Sequence, residues 1–140
     1  MSLRQSVIAY FATAVVFLSL DALWLVTMAD RLYRPALGDL MLQQFAIGPA
    51  LAFYAIYFTG IVVFAIAPAL QAGRGRLAFG LGALLGLVAY ATYDLTNQAT
   101  LKDWPLQVTL ADLVWGTFVT AVSATAAFAI TRRLARDRPG

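Results

Sequence analysis

Residues 90–105 read YATYDLTNQATLKDWP. The run starts as membrane-grade helix and then sets Asp94, Thr96, Asn97 and Gln98 where the flanking sequence calls for lipid. An acidic group in a membrane helix costs at least about 3 kcal/mol, so it faces a bundle interior or a wet cavity and has partners there. Fold and function both turn on which other residues share that interior.

The answer begins with composition. Of 140 residues, 61% are hydrophobic and only 12% charged, far more apolar than a soluble domain of this size. Four apolar stretches, at about 6–28, 45–67, 77–99 and 107–131, each approach the ~20 residues a helix needs to cross a bilayer. Together they fill the chain. The expected architecture is an all-α membrane protein, a single four-transmembrane-helix bundle over residues 1–140. The first stretch is too long for a secretion signal and has no small-residue cleavage site before Asp30, so it reads as a retained span.

Cys and His are both absent. That excludes disulfides, thiol catalysis and thiolate metal sites, and it removes the usual ligand of haem, zinc and non-haem iron. No metal centre is expected and no cofactor is named by the residues. A bound metal would have to be a hard cation on aspartates.

The net charge of +3 is explained by position. In a four-span layout Arg4, Arg74, Arg76 and the tail residues Arg132, Arg133, Arg136 and Arg138 fall on one side. Arg31, Arg34 and Lys102 fall on the other, diluted by Asp30, Asp39 and Asp103. Basic residues in short loops accumulate on the cytoplasmic side, so both termini are expected there. Gly73-Arg74-Gly75-Arg76 reads as a tight loop carrying such charge and not as an RNA-binding box, and no nucleic-acid partner is expected. The basic tail could also touch anionic lipid headgroups.

Helical spacing sorts each span into faces. Tyr10, Ala14, Phe17, Asp21, Trp24 and Met28 line one face of the first, with Asp21 about three quarters of the way across by the 1.5 Å rise. The segment from Asp30 to Gln44 mixes charge with Leu32, Tyr33, Leu37, Leu40 and Met41 around Pro35, and reads as an interfacial loop with a short helix lying on the membrane. Pro49 opens the second span and Pro68 closes it, with Ala50, Tyr54, Tyr57, Ile61 and Phe64 as one stripe between them. In the third, Gly82 and Gly86 have the small-residue spacing that lets helices approach closely. Their stripe continues through Tyr90 into Asp94 and Asn97. The fourth carries Asp112, Trp115, Gly116, Val119 and Ser123 on one face, with Asp112 roughly 8 Å from its start. A pattern D-x5-T-[ML]-x-D recurs at residues 21–30 and 94–103, and either duplicated hairpins or chance accounts for it.

Asp21, Asp94 and Asp112 therefore come from three helices at similar depth in the external half. Tyr54, Tyr57, Tyr90, Asn97, Trp24 and Trp115 face them as candidate substrate-binding side chains. No Lys or Arg belongs to the four apolar stretches, so like charges cannot all ionise there and at least one aspartate is expected to hold a proton near neutral pH. The plain alternative is that each carboxylate bonds a hydroxyl, amide or indole and only staples helices, at under ~1 kcal/mol per bond.

The runs LDALW (20–24), GPALAFYAIYFTG (48–60), YATYDLTNQATLKDWP (90–105) and ADLVWG (111–116) resemble the domain of unknown function 2177 family of small bacterial membrane proteins. The resemblance spans nearly the whole chain and implies a four-span protein of the bacterial inner membrane. It also carries a leaning toward lipid-related work, which the residues themselves do not show.

Two functions follow from the acids. In one, the bundle binds or modifies a lipid-like molecule, with membrane lipids or a small amphipathic ligand as partner. Asp94 and Asp112 would share acid/base roles, Asp21 would orient or ionise its neighbours, and Tyr90 and Asn97 would bind the polar part of the substrate. In the other, it is a proton-coupled transporter or binding protein for an organic cation, with the acids as counter-charge and the aromatic residues as a wall. Four spans are few for a monomeric transporter, so that function calls for a homodimer.

Overall fold

A computed structural model describes residues 1–136; Arg138, counted above with the basic tail, lies outside the described residues. The first span is α1 (Leu3–Met28), and it starts earlier than apolarity alone suggests because Ser2 and Gln5 form a capping box. Ser2 Oγ accepts the Gln5 amide at 3.2 Å while Gln5 Oε1 accepts the Ser2 amide at 2.9 Å. These bonds satisfy amides that the first helical turn cannot pair internally.

Between the first two spans the expected short helix is present as α2 (Arg34–Leu37), but it does not begin afresh. A π-helical turn, Ala29–Tyr33, joins α1 to α2, a 3-10 turn follows over Gly38–Leu40, and the run from Leu3 to Leu40 is helical throughout. Gly38, at φ 54°, sits in the positive-φ region that glycine adopts without penalty.

The second span departs from its expected end. It comprises α3 (Ile47–Ile61), a π-turn over Val62–Ile66 and α4 (Ala67–Ala72). Pro68 does not close it. The helix continues for another turn because the wider π-turn precedes the proline, easing the clash a proline ring makes with an α-helical carbonyl. Gly73, left-handed at φ 67°, ends the helix instead. The inserted residue also shifts the buried face. Ile61, Val62, Ala65 and Ile66 are buried, whereas Phe64, expected on the inner stripe, is 62% exposed.

The third and fourth spans are α5 (Gly75–Thr100) and α6 (Leu106–Arg136). These two pack most closely, α1 lies on α6, and the second span meets α5 chiefly through the Val62–Ile66 turn. The α5–α6 contact is set by glycines. A Cβ added at Gly82 would lie 2.9 Å from Ala124 Cβ, one at Gly86 would lie 2.8 Å from Thr120 Cβ, and one at Gly116 would enter the Tyr90 ring. Only hydrogen fits at these points, which is how small residues bring membrane helices together.

Four helices are long and apolar enough to cross a membrane, and the protein is a multi-pass all-α membrane protein. Arg4 donates to the Leu134 carbonyl at 2.7 Å and Arg132 to the Gly73 carbonyl at 3.4 Å, so the chain start, the 73–74 turn and the end of α6 share one end of the bundle. The 29–46 and 101–105 connections form the far end. At that end Asp103 takes φ 59°, a left-handed conformation that Asp tolerates better than most residues, before α6 starts.

Candidate functional site

Asp21, Asp94 and Asp112 stand on α1, α5 and α6 at 8%, 0% and 7% exposure. Each is six or seven residues, roughly 10 Å, from the far end of its helix by the 1.5 Å rise. Their hydrogen bonding differs sharply.

Asp21 is held on both oxygens. The Tyr54 hydroxyl donates to Oδ2 at 2.6 Å and the Trp115 indole to Oδ1 at 3.4 Å. Asp112 is held through a relay in which Trp24 Nε1 donates to the Tyr33 hydroxyl at 2.9 Å and that hydroxyl donates to Asp112 Oδ1. Trp24 and Trp115 stack with ring centroids 4.6 Å apart and planes 6° from parallel, which joins the two networks.

Asp94 is different. Both of its carboxyl oxygens are buried and neither has a donor among the described residues. The Asp112 carboxyl is its neighbour, close enough for one proton between the two to make a hydrogen bond. One turn further along α5, Gln98 Oε1 is likewise buried and without a partner. The α5 glycines and Tyr90 seated on Gly116 fix the approach of α5 to α6, and with it the opposition of Asp94 and Asp112.

The remaining candidates divide. Trp24, Trp115 and Tyr54 lie in the acid network. Tyr57 bonds Thr120 Oγ1 at 2.6 Å and packs on Phe17, so it belongs to the layer beneath and touches no acid. Tyr90 fills the interface between that layer and the acids, and Asn97 is half-buried on the far-end turn of α5. Grooves on the outer surface lie elsewhere, such as the apolar one lined by Phe79, Leu87, Val114 and Phe118.

Sequence reasoning missed Tyr33 and passed over Gln98 as part of the site. An α-helical stripe through Asp21, Trp24 and Met28 continues to residues 31, 32 and 35, not to 33. The Ala29–Tyr33 π-turn adds the residue that swings Tyr33 inward. Gln98 was visible as the i+4 neighbour of Asp94, and that spacing was the available signal.

A family described as Predicted membrane protein (DUF2177) has a sequence model that matches residues 6–129. The chain belongs to that family. The DUF2177 match takes in all three aspartates, Tyr33, Gln98 and both stacked tryptophans, so the whole acid network lies within the family's extent. Comparison with curated proteins and with solved structures gives no match.

Proposed function

We propose that this integral membrane protein resides in the bacterial inner membrane with both termini in the cytoplasm, and that it binds or modifies a lipid-like molecule by carboxylate acid/base chemistry at its far end. One observation carries the proposal. Asp21 and Asp112 have the donors expected of helix staples, whereas Asp94 is buried with none. A membrane interior does not leave a polar group unpaired without cost, and a carboxyl kept without protein donors is available to a ligand.

In this reading Asp94 gives a proton to the bound molecule or takes one from it. Asp112 is its proton partner, oriented by Tyr33, while Asp21 holds Tyr54 and Trp115 in place. The transport of an organic cation by a homodimer draws less support. Trp24 and Trp115 already cover one face of each other, which leaves less open aromatic wall for a cation.

Mass spectra of lipids from cells with and without the gene test the proposal. A modified species should be missing without the gene, return with the wild-type copy, and stay missing with an Asp94→Asn copy that inserts normally. Full rescue by Asp94→Asn, Asp21→Asn and Asp112→Asn alike would reduce all three acids to staples.

A further inference from the structure

The acid site leaves more than one acceptor open. A single proton between Asp94 and Asp112 serves one Asp94 oxygen, and the other remains, as does Gln98 Oε1 on the same face one turn along. The Tyr33 hydroxyl is already committed to Asp112. The open atoms are oxygens that accept hydrogen bonds, so a ligand that satisfies both must bring donors.

Charge and depth narrow the ligand further. The Asp112 carboxyl stands beside Asp94, Asp21 acts on Asp112 in turn, and the four apolar stretches contain no Lys or Arg to offset them. Counting back from Thr100, Asp94 and Gln98 are roughly 9 Å and 3 Å from the end of α5, the depth of a lipid headgroup and its glycerol. Over residues 47–56 all but Ala50 and Tyr54 are exposed, and this half of α3 packs on α1 and not closely on α5, so α5 has no close helical neighbour on that side at this level.

We infer that Asp94 and Gln98 form the seat for the primary ammonium of an amine-bearing phospholipid. Its N–H groups donate to the open Asp94 oxygen and to Gln98 Oε1, and its positive charge faces the carboxyls. The inference rests on the proposed ligand-binding role of Asp94 and adds the class of headgroup. It also makes a separation that chemistry can test: a choline headgroup has the charge without N–H donors, and a glycerol headgroup has donors without the charge.

Native mass spectrometry of the purified full-length protein, offered equal amounts of phosphatidylethanolamine, phosphatidylcholine and phosphatidylglycerol with identical acyl chains, reads the preference directly. Ethanolamine lipid should be retained about tenfold over choline lipid, the ratio expected from one to two net hydrogen bonds. Gln98→Leu should lower that ratio about fivefold, while Gln98→Glu, which keeps the acceptor and adds charge, should preserve or raise it. Equal retention of the three lipids, a preference for the glycerol headgroup, or an unchanged ratio in Gln98→Leu overturns the assignment. If the ratio is flat yet Asp94→Asn still fails to restore the modified species in cells, the headgroup assignment falls and the acid/base role stands. If the ratio is present but loss of the gene leaves cellular lipids unaltered, the seat stands and the acid/base role falls.

Discussion

Three aspartates of similar depth and burial contribute differently to stability because their partners differ. Even with one proton shared with Asp112, Asp94 keeps a buried oxygen without a donor, a defect worth about 1–3 kcal/mol, and replacing such a group by an apolar one of similar size removes the defect. Asp94→Leu is therefore expected to raise thermal stability in detergent while abolishing function. Asp21→Leu is expected to lower stability by about 1–3 kcal/mol, since the Tyr54 hydroxyl and Trp115 indole would lose their acceptor. Thermal unfolding of the two variants in one detergent makes the comparison. If Asp94→Leu falls as far as Asp21→Leu, Asp94 is a structural acid. The presence and depth of the acids were legible from helical spacing and charge. Which of them lacked a donor was not, because the donor to Asp112 comes from Tyr33, a residue that no α-helical stripe places at the site.

At the scale of elements, α5 and α6 meet where side chains are absent. The Gly82–Gly86 spacing was readable, but its counterparts Gly116, Thr120 and Ala124 depend on the register between two helices, which one sequence does not encode locally. Gly86→Leu should force α5 from α6, at a cost of about 3 kcal/mol or more, and should move Asp94 away from Asp112. Gly80→Ala on the same helix meets nothing within 4 Å and should raise stability by about 0.5–1 kcal/mol, the helix-propensity gain of Ala over Gly. Unfolding of both variants, together with the lipid phenotype of Gly86→Leu, separates helix approach from general glycine effects. Equal stability of the two would mean that the close approach does not hold the bundle. The two π-turns were the least legible elements, since one extra residue per turn has no compositional mark. Yet they account for Tyr33 turning inward, for Phe64 turning outward and for Pro68 lying inside a continuing span.

Across the whole molecule, charge is divided between the two ends. Arg4, Arg74, Arg76, Arg132, Arg133 and Arg136 gather at the end that holds the chain start and the 73–74 turn, and none is paired with a carboxylate among the described residues. The far end balances Arg31, Arg34 and Lys102 against Asp30, Asp39 and Asp103, with Arg34 paired to Asp30 at 2.8 Å. Such asymmetry across short loops is what supports the proposed orientation, with the arginine end in the cytoplasm. It would put the acid site on the opposite side, where a proton or a headgroup reaches it from the outer leaflet. Because the chain has no Cys, single introduced cysteines report topology without background. In intact spheroplasts Asp39→Cys is expected to react with a membrane-impermeant maleimide, while Ser2→Cys and Gly73→Cys should react only after the membrane is opened. Labelling of Ser2→Cys in intact spheroplasts would invert the orientation. The acids would then face the inner leaflet, and the substrate would have to come from lipids on the cytoplasmic side.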